Sequence, residues 1–525
     1  MSKNLDQFLA ALARAQAPQF DEKEERIAVS DTVSVAASVY ENIRNTLEYD
    51  EEHLLRRNAI RRILKRRLAE EDREALAGDL LRELIWARYL PNKKIPESLI
   101  GTLAQVFAKY HPLFENLESD SQSGGQHYQW LLDVLSTEIE YLVSPPLADE
   151  ALASFAYQEL KSRLEWHGGL VKDEDRDLQL YAAVHRTVLK SNNATLRFRL
   201  LTLYYPEWLK AGPNDSVVAE IANHLDTVID SVEKQISHPA ADSMFRLVRG
   251  YAVVFHLLRD IAEDDPSAFA QAVVQKDTAS LERAIGKAAK VRYERFYARQ
   301  RRGVFRAVTF LFLSKFVLAL LIEMPYERLI LQTTNWLPLT VNVIFHPLLL
   351  GLIGLTVNIP QKKNTARITE LALGVLRVGD DFNVNFRVRR PWAKGALAQV
   401  FRLLYTAFFL LTIGVISYIL HGFDFNYVSI AFFLFFLSLV TYFGLKVRNR
   451  RRELVIIDTE SGFFATLIDI LFLPIIRAGR WMALKAPRIN IFLFFFDFIV
   501  EAPFKAAIRL IEGWLAFLKE KREEI

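Results

Sequence analysis

VFRAVTFLFLSKFVLALLIEM (residues 304–324), WLPLTVNVIFHPLLLGLIGLTV (336–357), LLYTAFFLLTIGVISYIL (403–420) and FNYVSIAFFLFFLSLVTYFGL (425–445) decide how this chain folds. A hydrocarbon layer of about 30 Å takes roughly 20 apolar residues as a helix. Each run is close to that length, so residues 304–446 read as a four-helix transmembrane block. The third and fourth runs hold no Asp, Glu, Lys or Arg. The second has none either, but it carries Pro338, Asn342, His346 and Pro347. The first carries Arg306 near its start and Lys315 at its middle.

Basic residues orient the block. Lys287, Lys290, Arg292, Arg295, Arg299, Arg301 and Arg302 precede the first run. Lys362, Lys363, Arg367, Arg377, Arg387, Arg389, Arg390, Lys394 and Arg402 lie between the second and third. Lys446, Arg448, Arg450, Arg451 and Arg452 follow the fourth. The link from the first run to the second has only Arg328, and the link from the third to the fourth has neither Lys nor Arg. Loops rich in Lys and Arg stay on the cytoplasmic side. A multi-pass membrane protein with both termini in the cytoplasm and two short external turns is expected.

Lys315 is the unusual residue of the block. A lysine at the bilayer centre costs on the order of 2.5–3.5 kcal/mol on insertion scales. It fits an ion pathway or a buried partnership with Asn342 or His346. The reading favoured from sequence is a helix that starts later or lies shallow, so that the amine snorkels to the surface. His346-Pro347 supports either a proton relay or a kink, since proline removes one backbone bond.

Outward from the block, residues 1–300 read as a cytoplasmic all-α domain, a bundle or an irregular array. Apolar residues Ile43, Leu47, Leu54, Ile60, Ile63, Leu64 and Leu68 recur mostly at three- and four-residue steps. Pro91, Pro112, Gly124-Gly125, Pro145-Pro146 and Gly212-Pro213 punctuate further helical patterns, and no alternating strand is apparent. Within this region Arg56, Arg57, Arg61, Arg62, Lys65, Arg66 and Arg67 crowd one short segment. They suit anionic lipid headgroups, or they form a solvated face balanced by Glu70, Glu71, Asp72 and Glu74. No aromatic residues interleave with them, so nucleic acid is not favoured. The net charge of +4 on 525 residues points the same way.

Residues 369–391 alternate apolar and polar positions about Gly379-Asp380-Asp381. They read as a cytoplasmic β-hairpin, with Glu453–Asp458 as a third strand of a small juxtamembrane β-element. The tail 447–525 then reads as that strand plus amphipathic helices. Arg477, Arg480, Lys485 and Arg488 fall at roughly helical spacing, and Asp497, Glu501, Lys505 and Arg509 form a four-residue stripe. Such helices lie in the cytoplasmic interface against anionic headgroups, or pack on the helical domain or a second copy of the chain.

The chain has no cysteine, which excludes disulfides, thiolate catalysis and Cys-ligated metals. Its histidines show no H-x-x-x-H spacing. No catalytic, cofactor or metal motif is present, and no cofactor is expected. Three functions are compatible: a membrane-anchored scaffold that binds partner proteins through residues 1–300, an oligomeric transporter or channel subunit, and a membrane enzyme acting on lipid.

Overall fold

The computed structural model describes residues 2–16, 24–29, 52–68, 73–118, 124–167, 171–332, 335–387, 395–457 and 472–482. These are mainly helical. Among them the chain forms two units. One runs up to Val248 and includes Asn383–Phe386; the other comprises Arg249–Phe382 and the chain from Arg387 to Asn490.

The first unit is built from α1 (Lys3–Ala15), α2 (Glu52–Arg67), α3 (Arg73–Trp86), α4 (Ser98–Glu118), α5 (Gly124–Val143), α6 (Leu147–Lys161), β1 (Leu164–His167), α7 (Asp173–Val188), α8 (Asn193–Tyr204), α9 (Ser216–Asn223) and α10 (Leu225–Ile236). The helices start where capping chemistry allows. The Ser2 hydroxyl accepts from the Leu5 amide, and Asn192 accepts from Thr195; each satisfies an amide that has no partner inside the helix. Helix α1 buries Leu5, Phe8 and Leu12 at helical spacing, and Phe8 stacks on Phe155 of α6 with ring centroids 5.0 Å apart. The main core joins Ile60, Leu64, Leu80, Leu84, Leu103, Leu131, Leu135, Ile139 and Leu196 from α2 to α8. Trp208 and Trp130 are buried.

The second unit begins within α11 (Ala241–Asp264) and continues through α12 (Pro266–Val274). Helix α13 (Thr278–Leu318) then runs unbroken for 41 residues into the first apolar run. One π turn, Ala319–Glu323, links it to α14 (Met324–Leu329). Pro325 cannot donate to the carbonyl four residues back, and the helix widens just before it. Helices α15 (Trp336–Leu355), α16 (Gln361–Val375), α17 (Ala396–Gly422) and α18 (Tyr427–Asn449) follow. Four helical stretches are long and apolar enough to cross a membrane: Thr278–Leu329, Trp336–Leu355, Gln399–Gly422 and Tyr427–Glu453. Helix α15 packs along both α13 and α18, whereas α17 touches chiefly α18. A Cβ on Gly444 of α18 would come within 2.7 Å of Ile353 on α15, so glycine sets how closely those helices approach.

The β-element differs from the expectation. The first expected strand is the end of α16, because Ile368, Leu371, Ala372 and Val375 bury one helical face and this outweighs the short alternation at 373–378. Among the described residues of the expected element, only Val384–Arg387 is a strand, β2. It pairs with β1 in the first unit, where no strand was expected. The Val384 amide donates to the Arg163 carbonyl at 2.9 Å, Asn383 donates to Glu165 at 2.6 Å, and the rings of Trp166 and Phe386 meet edge to face at 5.2 Å. Glu453–Asp458 is no strand over its described residues either. Leu454 and Ile456 give their backbone bonds to the side chain of Asn364, whose Nδ2 donates to the Leu454 carbonyl and whose Oδ1 accepts from the Ile456 amide. One buried amide does what a neighbouring strand would have done. Residues 388–391, and the charged stripe of 491–518, lie outside the described residues.

Candidate functional site

The polar cluster of the second unit is assembled from three of the four long apolar helices. Lys315 is on α13, Glu323 closes the π turn, Asn342 and His346 are one turn apart on α15, and Ser429 opens α18. Lys315 Nζ donates to the Asn342 carbonyl at 2.5 Å and to Asn342 Oδ1 at 2.6 Å, and it lies 3.2 Å from His346 Nδ1. Asn342 Nδ2 donates to both Glu323 oxygens, at 2.9 and 2.8 Å. Ser429 Oγ donates to Glu323 Oε2 at 3.4 Å, and His346 Nε2 lies 3.0 Å from the Phe433 carbonyl. The Lys315 ammonium also sits 4.5 Å from the centre of the Phe436 ring. Asn342 and His346 are 0% exposed, Lys315 2% and Glu323 3%.

Asn342 therefore bridges an ammonium and a carboxylate. Its carbonyl oxygen takes the cation's protons and its NH₂ serves the anion. The cluster is neutral as a whole, and each charge has several partners, which is the condition for burying ions in apolar surroundings. Nearer the α14 end, Glu327 is 2% exposed and accepts from Asn426 Nδ2 at 3.0 Å and from the Asn335 amide at 3.3 Å. It ties together the two segments that join the long helices.

A second polar knot lies beyond the other ends of these helices. Asn364, fully buried, donates to the Tyr293 hydroxyl of α13 at 2.9 Å as well as to Leu454. The Tyr297 hydroxyl donates to Asn358 and accepts from the Ile359 amide. An open cleft of about 740 Å³ lies between α13 and α16, lined by side chains of both signs, among them Glu282, Lys290, Lys362 and Asp380.

Lys315, Asn342 and His346, singled out from sequence, thus stand in direct contact. Glu323, Glu327, Ser429 and Asn364 were missed. Glu323 and Glu327 sit at the edge of an apolar run, where an acid reads as a boundary. Their four-residue spacing from one another, with Pro325 between them, was the available signal.

The basic residues of α2 face carboxylates of their own unit. Arg56 makes two contacts of 2.9 Å with Glu140, Arg61 reaches Asp133 at 2.7 Å, Arg57 reaches Asp133 at 3.6 Å, Arg66 meets Glu83 at 2.7 Å, and Arg67 pairs with Asp79. Arg62 is half-buried and Lys65 exposed on the same helix. Arg477 and Arg480 are exposed on the helix at 472–482; Lys485 and Arg488 lie outside the described residues. Among the described residues no group of three or more His, Asp or Glu is arranged to hold a metal ion.

Comparison with protein-family models, with curated proteins and with solved structures finds no match to this chain. The functional reading therefore rests on geometry.

Proposed function

We propose that the chain is a membrane-anchored interaction protein. Its helical first unit is the working part, held at the cytoplasmic face, and the polar cluster locks the anchor. The observation that supports this is the closure of the Lys315–Asn342–Glu323 network. Its ions are satisfied by side chains and carbonyls of the same chain, and the third apolar helix, α17, brings it no ionisable group. A conduit needs polar groups left free for the traveller; a lock needs them paired.

The basic flanks support a topology with both termini in the cytoplasm and the α14–α15 and α17–α18 links outside. Partners of the first unit are proteins, and the bilayer contacts are with anionic headgroups. Association of two copies through the lipid-exposed face of α17 is compatible with this reading.

The test is reconstitution. Purified chain in sealed vesicles should leave imposed proton and potassium gradients intact, and Glu323→Gln should change its thermal stability without changing vesicle permeability. A gradient that collapses with the native chain and persists with Glu323→Gln contradicts the lock and favours transport.

A further inference from the structure

Residues 472–482 form a helix, α19, in the second unit. Ile475 is 3% exposed and belongs to one apolar cluster with Leu420, Phe425, Ile430, Phe433 and Leu437, against which Phe472 also packs. A Cβ on Gly479 would fall 1.8 Å from the Ser438 carbonyl oxygen and 2.9 Å from the Tyr442 Cβ. Helix α19 therefore lies directly on α18, and only glycine permits that approach.

Ser438 is the middle residue of Tyr427–Asn449. It stands eight residues before Lys446, about 12 Å at 1.5 Å per residue. The start of α19 is turned toward the Phe425 end of α18 and its later part toward the middle. The chain, however, leaves α18 at the opposite, basic end. A helix lying in the interface would instead meet the Lys446–Arg452 end of α18.

Arg477 is carried to this depth. Its guanidinium carbon sits 4.6 Å from the centre of the Tyr405 ring on α17. Among the described residues no carboxylate is within ion-pairing distance of it. Arg402 is one turn from Tyr405 toward the basic end of α17, and Arg480 and Trp481 are exposed on α19. Among the described residues the guanidinium N–H groups have no hydrogen-bond acceptor, and apolar surroundings make that costly. A guanidinium fork fits phosphate oxygens in pairs.

We propose that α19 is a re-entrant membrane helix, and that Arg477, with Tyr405 and Arg402, binds the phosphate of a phospholipid in the leaflet at the Arg450–Arg452 end of α18. This rests on the reading that the long apolar helices cross a membrane. The site differs from the polar cluster, because among the described residues it holds no carboxylate and its arginines, Arg477 and Arg402, are exposed.

The absence of cysteine makes the test direct, since any introduced thiol is unique. A nitroxide on Leu473→Cys should show the same bilayer depth, by oxygen against nickel-chelate collision, as one on Val415→Cys, seven residues before the Gly422 end of α17. A headgroup depth for Leu473→Cys overturns re-entry. In native mass spectrometry with added phosphatidylglycerol, Arg477→Gln should lower bound lipid about tenfold, with Arg477→Lys retaining part, and inorganic phosphate alone should not bind. Unchanged lipid in Arg477→Gln overturns the site, as does saturation by inorganic phosphate. Release of the native chain from membranes by alkaline carbonate would instead overturn the anchor reading itself, so the two failures are distinguishable.

Discussion

Lys315 and Glu323 serve each other through a single amide, so their removal is not additive. Lys315→Met leaves a carboxylate buried without its counter-ion, a change that costs about 3–5 kcal/mol in comparable buried pairs. The double variant Lys315→Met/Glu323→Gln removes both charges and should recover most of that loss. Thermal unfolding in detergent micelles of the native chain, both single variants and the double measures the coupling directly. Equal losses that simply add would show that the two ions do not act together. His185 offers a second test in the first unit. It is 2% exposed, its ring is tilted against that of Tyr181 with centroids 4.2 Å apart, and its Nδ1 has no hydrogen-bond partner among the described residues. Burial pushes its imidazole from 6.5 down to about 4. The folded chain then resists the proton that the unfolded chain accepts. This contribution to stability is complete above pH 6.5 and disappears as pH falls toward 4, a loss of about 3 kcal/mol. His185→Phe should flatten the fall in unfolding temperature between pH 7 and pH 4.5, and an unchanged slope would contradict the assignment.

Elements were legible in the sequence where one period ran long. The four apolar runs appear as four long helices, each start or end shifted by the polar residues that extend it, most of all at α13, which reaches back to Thr278. Lys315, Asn342 and His346 were legible because a polar group inside an apolar run is costly unless a partner satisfies it. What was not legible depended on distant partners. The β1–β2 pair joins residues more than two hundred positions apart, and no local pattern announces it. No strand forms over the described residues of 453–458, because the backbone groups there are satisfied by Asn364, a side chain in another element. That arrangement has a consequence: Asn364→Ala removes the acceptor and donor holding Leu454 and Ile456. Limited trypsin digestion should then cut faster at Arg450–Arg452 than in the native chain. Likewise Gly444→Leu should force α15 and α18 apart and lower stability by about 1–3 kcal/mol, the usual cost of overpacking.

At the scale of the molecule, a well-packed helical unit and an apolar unit share one chain. The first unit has its own core and its own buried charge network. Lys109 pairs with Glu138, which also accepts from the Tyr110 hydroxyl at 2.7 Å and the Trp208 indole at 2.9 Å. Burial beside Glu138 drives the Tyr110 hydroxyl well above its ordinary pKa, so it stays a donor. A fragment ending at Val248 should therefore purify without detergent and unfold cooperatively by circular dichroism; an insoluble or non-cooperative fragment would contradict the division. The central claim is that the apolar helices anchor this unit on one side of a membrane. The most direct measurement is labelling of single cysteines in intact cells with a membrane-impermeant maleimide. Asp424→Cys, in the α17–α18 link, should label from outside, and Arg88→Cys, in the first unit, only after permeabilisation. Labelling of Arg88→Cys in intact cells, or protection of Asp424→Cys there, would contradict the account.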